Sequence, residues 1–600
     1  MDPSRPDRHR GIHTRRRLLA GGAGALGAGM LGAGRADAQL PNPVEESFGL
    51  GWRMPHNVKD FGATGDGSTD DTGAIQLALD AGAGGGVFLP PGRYAIGVLD
   101  VPSGTDLFGA GFSSVLVVQP SAVPYPLRIL PAAEDVHLRD FAVDGNKTAI
   151  AAAGQGWDPD RLNGGPAGIV IADGIASGCR RIYVERLRVF DSFRLGIVFE
   201  SVVDGAIRDC SIEGNNRDGI TLYHDTKNVT VRGNTIVGCA DDHIAINSEN
   251  VEPFGHLCEG IVVTENTIVG PSPRGKGPGI TVRGGNDVVI ANNVIRDVSQ
   301  AAIKLETFQT APLTDLVVSA NAIHRSGEGG SAEKIGISVH NAGSHVRGLS
   351  IVGNLLRDTR ETAIRLHNVK GSPADDDIAD VLIAHNSIEG SGQHGVEIVS
   401  PGINDVVVEG NRIKGFAIGG ITCMGGAKRV HVSGNAVYRG AGHGIRIAGA
   451  DGGSCDGNQV YDDRSPATQT YGIALEGLRG VWAFRDNTAW GHASADYDLH
   501  PGSHSASFDG PYRTLFGTAG WNPPPVPDGG VATTTLPVDG ASVGDPCSAG
   551  LGSDLPAGAA ITASVTSANT VGVTLLNRSG GIVDVTGTVW VHVQKPPPLP

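Results

Sequence analysis

Asn266-Thr-Ile268, Gly279-Ile-Thr-Val282, Asn293-Val-Ile295, Ala302-Ile-Lys-Leu305: in this stretch the chain states one structural unit twice. The unit is a short strand entered through Asn-x-aliphatic, followed by a second strand of the form small-(Ile/Val)-x-aliphatic. It extends in both directions, back to Asn234 and on through Asn321, Asn354, Asn386, Asn411, Asn435 and Asn458, at spacings of 23 to 33 residues. The second strand returns as Gly219-Ile-Thr-Leu222, Gly336-Ile-Ser-Val339, Ala363-Ile-Arg-Leu366, Gly395-Val-Glu-Ile398 and Gly444-Ile-Arg-Ile447. Alternation of this kind turns aliphatic side chains inward and polar ones outward. No single unit can bury its inner face, so the units must stack as coils, with parallel strands about 4.8 Å apart. The recurring Asn then forms an internal ladder, each amide bonding to the coil above and below. This predicts a parallel β-helix of roughly ten or more turns over 131–505. A propeller would need four antiparallel strands per repeat instead.

Composition agrees. The chain has 90 glycines in 600 residues and 5% aromatics, about twice the usual glycine share of ~7%. The glycines follow no Gly-X-Y period, which excludes collagen. Hydrophobic content of 40% and charged content of 18% exclude a disordered chain. Beyond the amino-terminal segment no apolar run reaches the roughly 18 residues of a spanning helix. Thr14-Arg15-Arg16-Arg17-Leu18-Leu19, a Gly/Ala-rich stretch and Ala36-Asp37-Ala38 read as a twin-arginine export signal over 1–38. That reading implies the Tat translocase as a transient partner and a periplasmic or secreted location. Residues 1–38 carry seven Arg and three Asp, so the remainder stands near −20 against −16 for the whole chain, too acidic for non-specific nucleic-acid binding. The seven cysteines (179, 210, 239, 258, 423, 455, 547) show no CxxC pair or zinc-type cluster, and their odd number leaves at least one free thiol.

The two ends differ from the repeats. Residues 50–130 contain His56-Asn-Val-Lys-Asp-Phe-Gly-Ala63, Gly65-Asp-Gly-Ser-Thr-Asp-Asp71, a short helix from Ile75 to Ala81, Gly84-Gly-Gly86 and Val87-Phe-Leu-Pro-Pro-Gly-Arg-Tyr94. This segment resembles the opening of pectate-lyase-like β-helix proteins. The resemblance implies the right-handed form of the coil and a cap that hides its open strand edge, with Asp66, Asp70 and Asp71 as turn residues rather than metal ligands. At the other end, 506–530 closes with Trp521-Asn-Pro-Pro-Pro-Val-Pro-Asp-Gly-Gly530 and reads as a stiff linker. Residues 531–600 alternate Val, Thr and Leu with polar residues, which predicts a small β-sandwich. Its one aromatic residue, Trp590, favours a structural role over sugar stacking.

The strongest candidate chemistry lies on adjacent coils. Asn216-Arg-Asp-Gly219 is followed one turn later by Ala240-Asp-Asp-His-Ile-Ala-Ile-Asn-Ser248, which sets Asp218 and Asp242 in the same register, 24 residues apart. Asp241 neighbours both. Crowded carboxylates raise at least one pKa, giving the protonated acid and ionised base that glycoside hydrolysis needs. The competing reading is turn chemistry, since Asp-Gly is a common turn pair. The two motifs resemble the signature of glycoside hydrolase family 28, the polygalacturonases. That resemblance implies that Asp218, Asp241 and Asp242 are the acid, base and water-positioning carboxylates of an inverting hydrolase. The chain departs from the family at two further motifs: Gly-His-Gly becomes Gly277-Pro278-Gly279, and Arg-Ile-Lys becomes Lys304-Leu305-Glu306.

A second set of residues falls on the same predicted face: Tyr223, His224, His243, Arg283, Lys304, His340, Arg365 and His367. Cations grouped on an acidic chain suggest an acidic, uronate-containing glycan, although Glu306 and Glu397 could neutralise them. Uronate lyases and C5-epimerases need a base, an acid and a cation for the carboxylate, the last supplied by side chains or by Ca²⁺. Asp144-Gly-Asn-Lys147 resembles a run in mannuronan epimerases. Their Asp-Pro-His signature would fall near Leu195-Gly-Ile-Val-Phe-Glu200, where it is absent. The sequence therefore predicts a hydrolase without cofactor first, a lyase or epimerase second, and a non-catalytic glycan-binding or envelope scaffold third.

Overall fold

Each turn of the chain gives one strand to each of three parallel sheets. In one turn these are Lys227–Arg232, Thr235–Val237 and Ile244–Asn247; in the next, Glu259–Thr264, Thr267–Val269 and Ile280–Arg283. The turns stack in register, with Ile236 opposite Ile268 and Ile246 opposite Val282. The result is an all-β parallel β-helix. The computed structural model describes residues 54–595 apart from 121–124, 155–168, 172–177, 249–256, 271–276, 308, 330–332, 372, 501–504, 509–512 and 553–554. The export signal read over 1–38 lies outside them. Among the described residues the second and third sheets hold 16 and 15 strands, so the coil is longer than the Asn repeat alone indicates. No helix among the described residues is long and apolar enough to cross a membrane.

Stacking places like on like inside the coil. Ile212, Ile236, Ile268, Ile295 and Ile323 form one fully buried column. The Asn ladder lines the turn beside it. The Asn266 backbone N–H and its Nδ2 both donate to Oδ1 of Asn293, at 3.0 and 2.9 Å, and Nδ2 also donates to the Val231 carbonyl at 2.9 Å. The same pattern runs from Asn234 to Asn458 and ends on Asn487. At its lower end Cys210 takes the rung and donates its backbone N–H to Asn234. The ladder amides from Asn234 to Asn458 are thus matched along the coil, which is the condition for keeping them there. All seven cysteines are free thiols.

The first coil is covered by the helix Thr72–Ala81, which buries Ile75, Ala78 and Leu79 in the same core. Asp71 fastens this cap: its carboxylate accepts from the Thr64 N–H and hydroxyl and from the Gly65 N–H, at 2.7–3.0 Å. Asp66 and Asp70 bind their own turns through Ser68, Thr69 and Thr72.

At the far end two antiparallel three-stranded sheets enclose a separate core of Leu536, Val571, Val573, Leu575, Val589, Val591 and Val593. The stretch 506–530, read from composition as a linker, is largely strand. Ser505–Phe508 continues the coil beside Arg479–Arg485, and Arg513–Trp521 pairs along its whole length with Gly587–Lys595. The physical reason is edge protection: without Arg513–Trp521 one side of Gly587–Lys595 would be left unpaired. Among the described residues of this stretch, the Pro-rich 522–530 lies between strands, with an isolated bridge from Val526 to Val583.

Candidate active site

The register of the third sheet sorts its outward side chains into columns. Tyr223, Asn247, Arg283, Glu306, His340 and His367 stand in one, and Thr221, Ala245, Thr281, Lys304, Ser338, Arg365 and Glu397 in the next. Most residues expected on this face therefore share it. Two positions before each strand lies the turn that carries Asp218 and Asp242. The Gly219 N–H donates to the Asp242 carbonyl at 3.0 Å, which locks the two turns together.

The three aspartates meet. One carboxylate oxygen from each of Asp218, Asp241 and Asp242 lies within 4.8 Å of the other two. Asp218 and Asp242 are buried and Asp241 is half-buried. Thr221 donates its hydroxyl to Asp218 at 3.1 Å; the other Asp218 oxygen is buried with no hydrogen-bond partner among the described residues. Thr281 donates to Asp242 at 2.8 Å, and the Arg283 guanidinium lies 3.4 Å from its second oxygen. The Arg217 Nε sits 3.8 Å from Asp218 and 3.9 Å from Asp241. Burial first, then the charges of Asp242 and Asp241, push the Asp218 carboxyl up to about 8. Burial works against the charge of Arg283, but the surrounding carboxylates outweigh it and raise that guanidinium's pKa.

These aspartates do not sit in the way the corner aspartates do. Asp209, Asp225, Asp287, Asp297 and Asp315 take the left-handed conformation at coil corners, whereas Asp218, Asp241 and Asp242 do not. Nor does Gly219 have positive φ. It is glycine because a Cβ there would lie 2.6 Å from the His243 carbonyl oxygen of the next turn.

His243 is corrected from a substrate contact to an interior residue. It has no exposed surface, and its Nδ1–H donates to the Pro278 carbonyl at 3.0 Å. It lies in the turn just before the strand Ile244–Asn247, outside the strand alternation, and burial lowers its pKa. Tyr223 and His224 stack at 5.5 Å beside the cluster, with His224 Nδ1 3.4 Å from Glu200.

Farther along, cations and acids pair. Lys304 lies 3.2 Å from both Glu306 and Glu333, Arg283 is 3.5 Å from Glu306, and Arg365 is 2.6 Å from Glu397. His340 faces Glu333 at 3.8 Å and meets His367 edge-on at 5.8 Å. The row is therefore balanced rather than positive. Its acids include Glu333, which lies outside the strand repeat and carries no sequence signal. Arg194 and Arg217 also border the aspartates although the repeat does not single them out. Three clustered carboxylates can suit a hard cation such as Ca²⁺. Here the fit is poor: Arg217 and Arg283 already supply positive charge, and the Asp218 carboxyl favours its proton.

Comparison with known proteins agrees with the fold. A family described as "Right handed beta helix region" matches residues 163–275 and 335–509. Residues 56–123 match one described as "Rhamnogalacturonase A/epimerase, pectate lyase-like". Mannuronan C5-epimerase AlgE1 of Azotobacter vinelandii is 27% identical over 261 residues, covering 36% of this chain and 18% of that protein. Alginate lyase 7 of the same organism is 32% identical over 184 residues, 28% of this chain and 20% of that one. The match thus spans about a fifth of the length of these two relatives. Among solved structures, a hyperthermoactive exopolygalacturonase from Thermotoga maritima aligns over 63% of this chain and 91% of its own, at 17% identity and a TM-score of 0.44.

Proposed function

The chain is a pectate-lyase-like right-handed parallel β-helix, and from that premise we propose that it is an exported polysaccharide-active enzyme, hydrolysing glycosidic bonds of an acidic glycan at Asp218, Asp241 and Asp242. One observation carries the reading. Three carboxylates converge within 4.8 Å, and one of them, Asp218, is held protonated by burial and by its neighbours. Pairs of carboxyl groups whose surroundings push their pKa values apart are the mark of acid–base work on a glycosidic oxygen. Asp218 gives its proton to the leaving oxygen. Asp242, fixed by Thr281 and Arg283, orients the attacking water. Asp241, the most exposed of the three, takes the water's proton. Export through the twin-arginine route rests on Arg15, Arg16 and Arg17 and belongs to the same proposal.

A uronate lyase or C5-epimerase is the second reading, favoured by the named activities of the curated relatives. The pairing of Lys304 and Arg365 with acids means that such a reaction would not draw the cation for the substrate carboxylate from that row.

The test is a screen of the purified protein on neutral and acidic polysaccharides, following new reducing ends and unsaturated uronate together. Reducing ends without unsaturation are expected, and Asp242→Asn should fold normally and lose turnover. Unsaturated product would replace hydrolysis with the lyase reading. Binding without either product would leave a glycan-binding scaffold.

A further inference from the structure

Beside the aspartates, two arginines lack the close acid partner that Arg186, Arg188 and Arg208 have elsewhere on the coil. Arg194 and Arg217 stack one turn apart, with the Arg217 N–H donating to the Arg194 carbonyl at 2.8 Å; the next residue in this column is Asp241. Arg194 is 5% exposed, and the Arg217 side chain is 17% exposed. The Nε of Arg194 and one terminal nitrogen of Arg217 are buried without an acceptor among the described residues. The carboxylates nearest to Arg217, at 3.8 and 3.9 Å, are too far for hydrogen bonds. Elsewhere on the coil the pairing is close: Arg188 to Glu213 at 3.0 Å, Arg186 to Asp140 at 2.7 Å, and Arg208 to Glu185.

A guanidinium taken out of water without a fork of acceptors is strongly unfavourable, and two together are worse. Burial and the neighbouring Arg217 charge lower the Arg194 pKa. Beside the pair, Leu195, Val198, Tyr125 and Tyr223 form a small apolar cluster, the kind of wall against which a sugar ring packs.

We propose that Arg194 and Arg217 form a carboxylate pocket that reads a uronate residue of the glycan next to the three aspartates. A planar carboxylate offers the two acceptors a guanidinium fork requires; a neutral sugar offers hydroxyls but no countercharge. Selection for acidic glycan thus comes from this pair rather than from the balanced row at Lys304 and Arg365. The assignment deepens the hydrolase reading and rests on it for the position of the scissile bond, but not for binding.

The test separates the two. Binding is measured on the full chain carrying Asp242→Asn, so turnover does not enter. The probes are polygalacturonate, polymannuronate and polyguluronate, each against its carboxyl-reduced counterpart. At least one uronan should bind about tenfold or more tighter than its reduced form, as a charge-assisted pair implies. Arg194→Gln and Arg217→Gln should erase that preference while affinity for the reduced chain changes about twofold at most. Arg217→Lys, which keeps the charge without the fork, should restore only part of it. Equal binding of uronan and reduced chain, absence of any uronan binding, or a preference that survives both Gln variants would overturn the pocket. The first two readings need no arginine variant to fold. A preserved uronan preference with no hydrolysis by the wild-type chain would sink the hydrolase and leave the pocket standing.

Discussion

From Arg283 to Glu397, the cations of the third sheet named above lie within 3.5 Å of an acid, and Oε2 of Glu333 is the one buried side-chain atom of that row without a hydrogen bond among the described residues; from Arg194 to Asp242, on the same outward side of the same coil, several buried polar atoms go unmatched. Backbone geometry is not the cause, because both regions keep in-register parallel pairing. The difference lies in where the charges stand. In the later row they occupy the strands, where opposite signs in adjacent positions reach each other. In the earlier region they occupy the turns, where aspartates crowd aspartates and arginine stacks on arginine. An unmatched buried donor or acceptor costs about 1–3 kcal/mol. A region holding several of them is shaped by something other than its own stability, and a substrate that supplies the missing partners is the direct explanation.

The sharpest way to break this contrast is at Asp218. If its proton is the catalytic one, Asp218→Asn lowers turnover about 10²- to 10⁴-fold, the usual share of a positioned general acid. The wild-type rate should also fall on the alkaline side with an apparent pKa near the value of about 8, a limb the variant lacks. A pH–rate profile that is flat through this range would remove Asp218 from the acid's role. Stability should follow the same group with a defined sign. The folded pKa is raised above the ordinary carboxylate value of about 3.9, so the folded state holds the extra proton. The stabilisation is fully present below that ordinary value and is lost as pH rises through about 8. Melting temperature should therefore decline over this window in the wild type and less in Asp218→Asn.

The contrast also explains what the sequence made legible. The coil could be read because burial repeats: Asn-x-aliphatic returns wherever an amide must bridge to the next turn. Asn487 escapes the pattern because Thr488 and Ala489 follow it, although its amide oxygen still completes the ladder. Asp218, Asp241 and Asp242 were legible because the turn spacing alone brings them together. Arg217 was written between Asn216 and Asp218 but had no visible role, since no repeat marks a side chain that lacks a partner. Arg194 is further hidden, since only stacking shows that it lies under Arg217. The charge of the Lys304 row misleads in the opposite direction. Its cations can be counted in the sequence, but Glu333 reaches Lys304 from outside the strand repeat, and only the folded chain shows the pairing.

The smallest expected effect tests the balanced side. Lys304 can be removed with limited consequence, because both of its acids keep another neighbour: Arg283 lies 3.5 Å from Glu306, and His340 lies 3.8 Å from Glu333. Lys304→Met should thus cost about 1–3 kcal/mol in stability, because the three side chains are mostly buried but each acid keeps a neighbour. Adding Glu333→Gln should recover part of that, because the second change removes the acid left with the weaker partner, a histidine at 3.8 Å. Hydrolysis by the single and double variants should stay within about threefold of the wild type, since neither touches the groups assigned to proton transfer or to the carboxylate pocket. A hundredfold loss in Lys304→Met, with an unchanged melting temperature, would make the row part of the substrate site. The division between a self-satisfied region and an unsatisfied one would then give way to a single continuous binding groove.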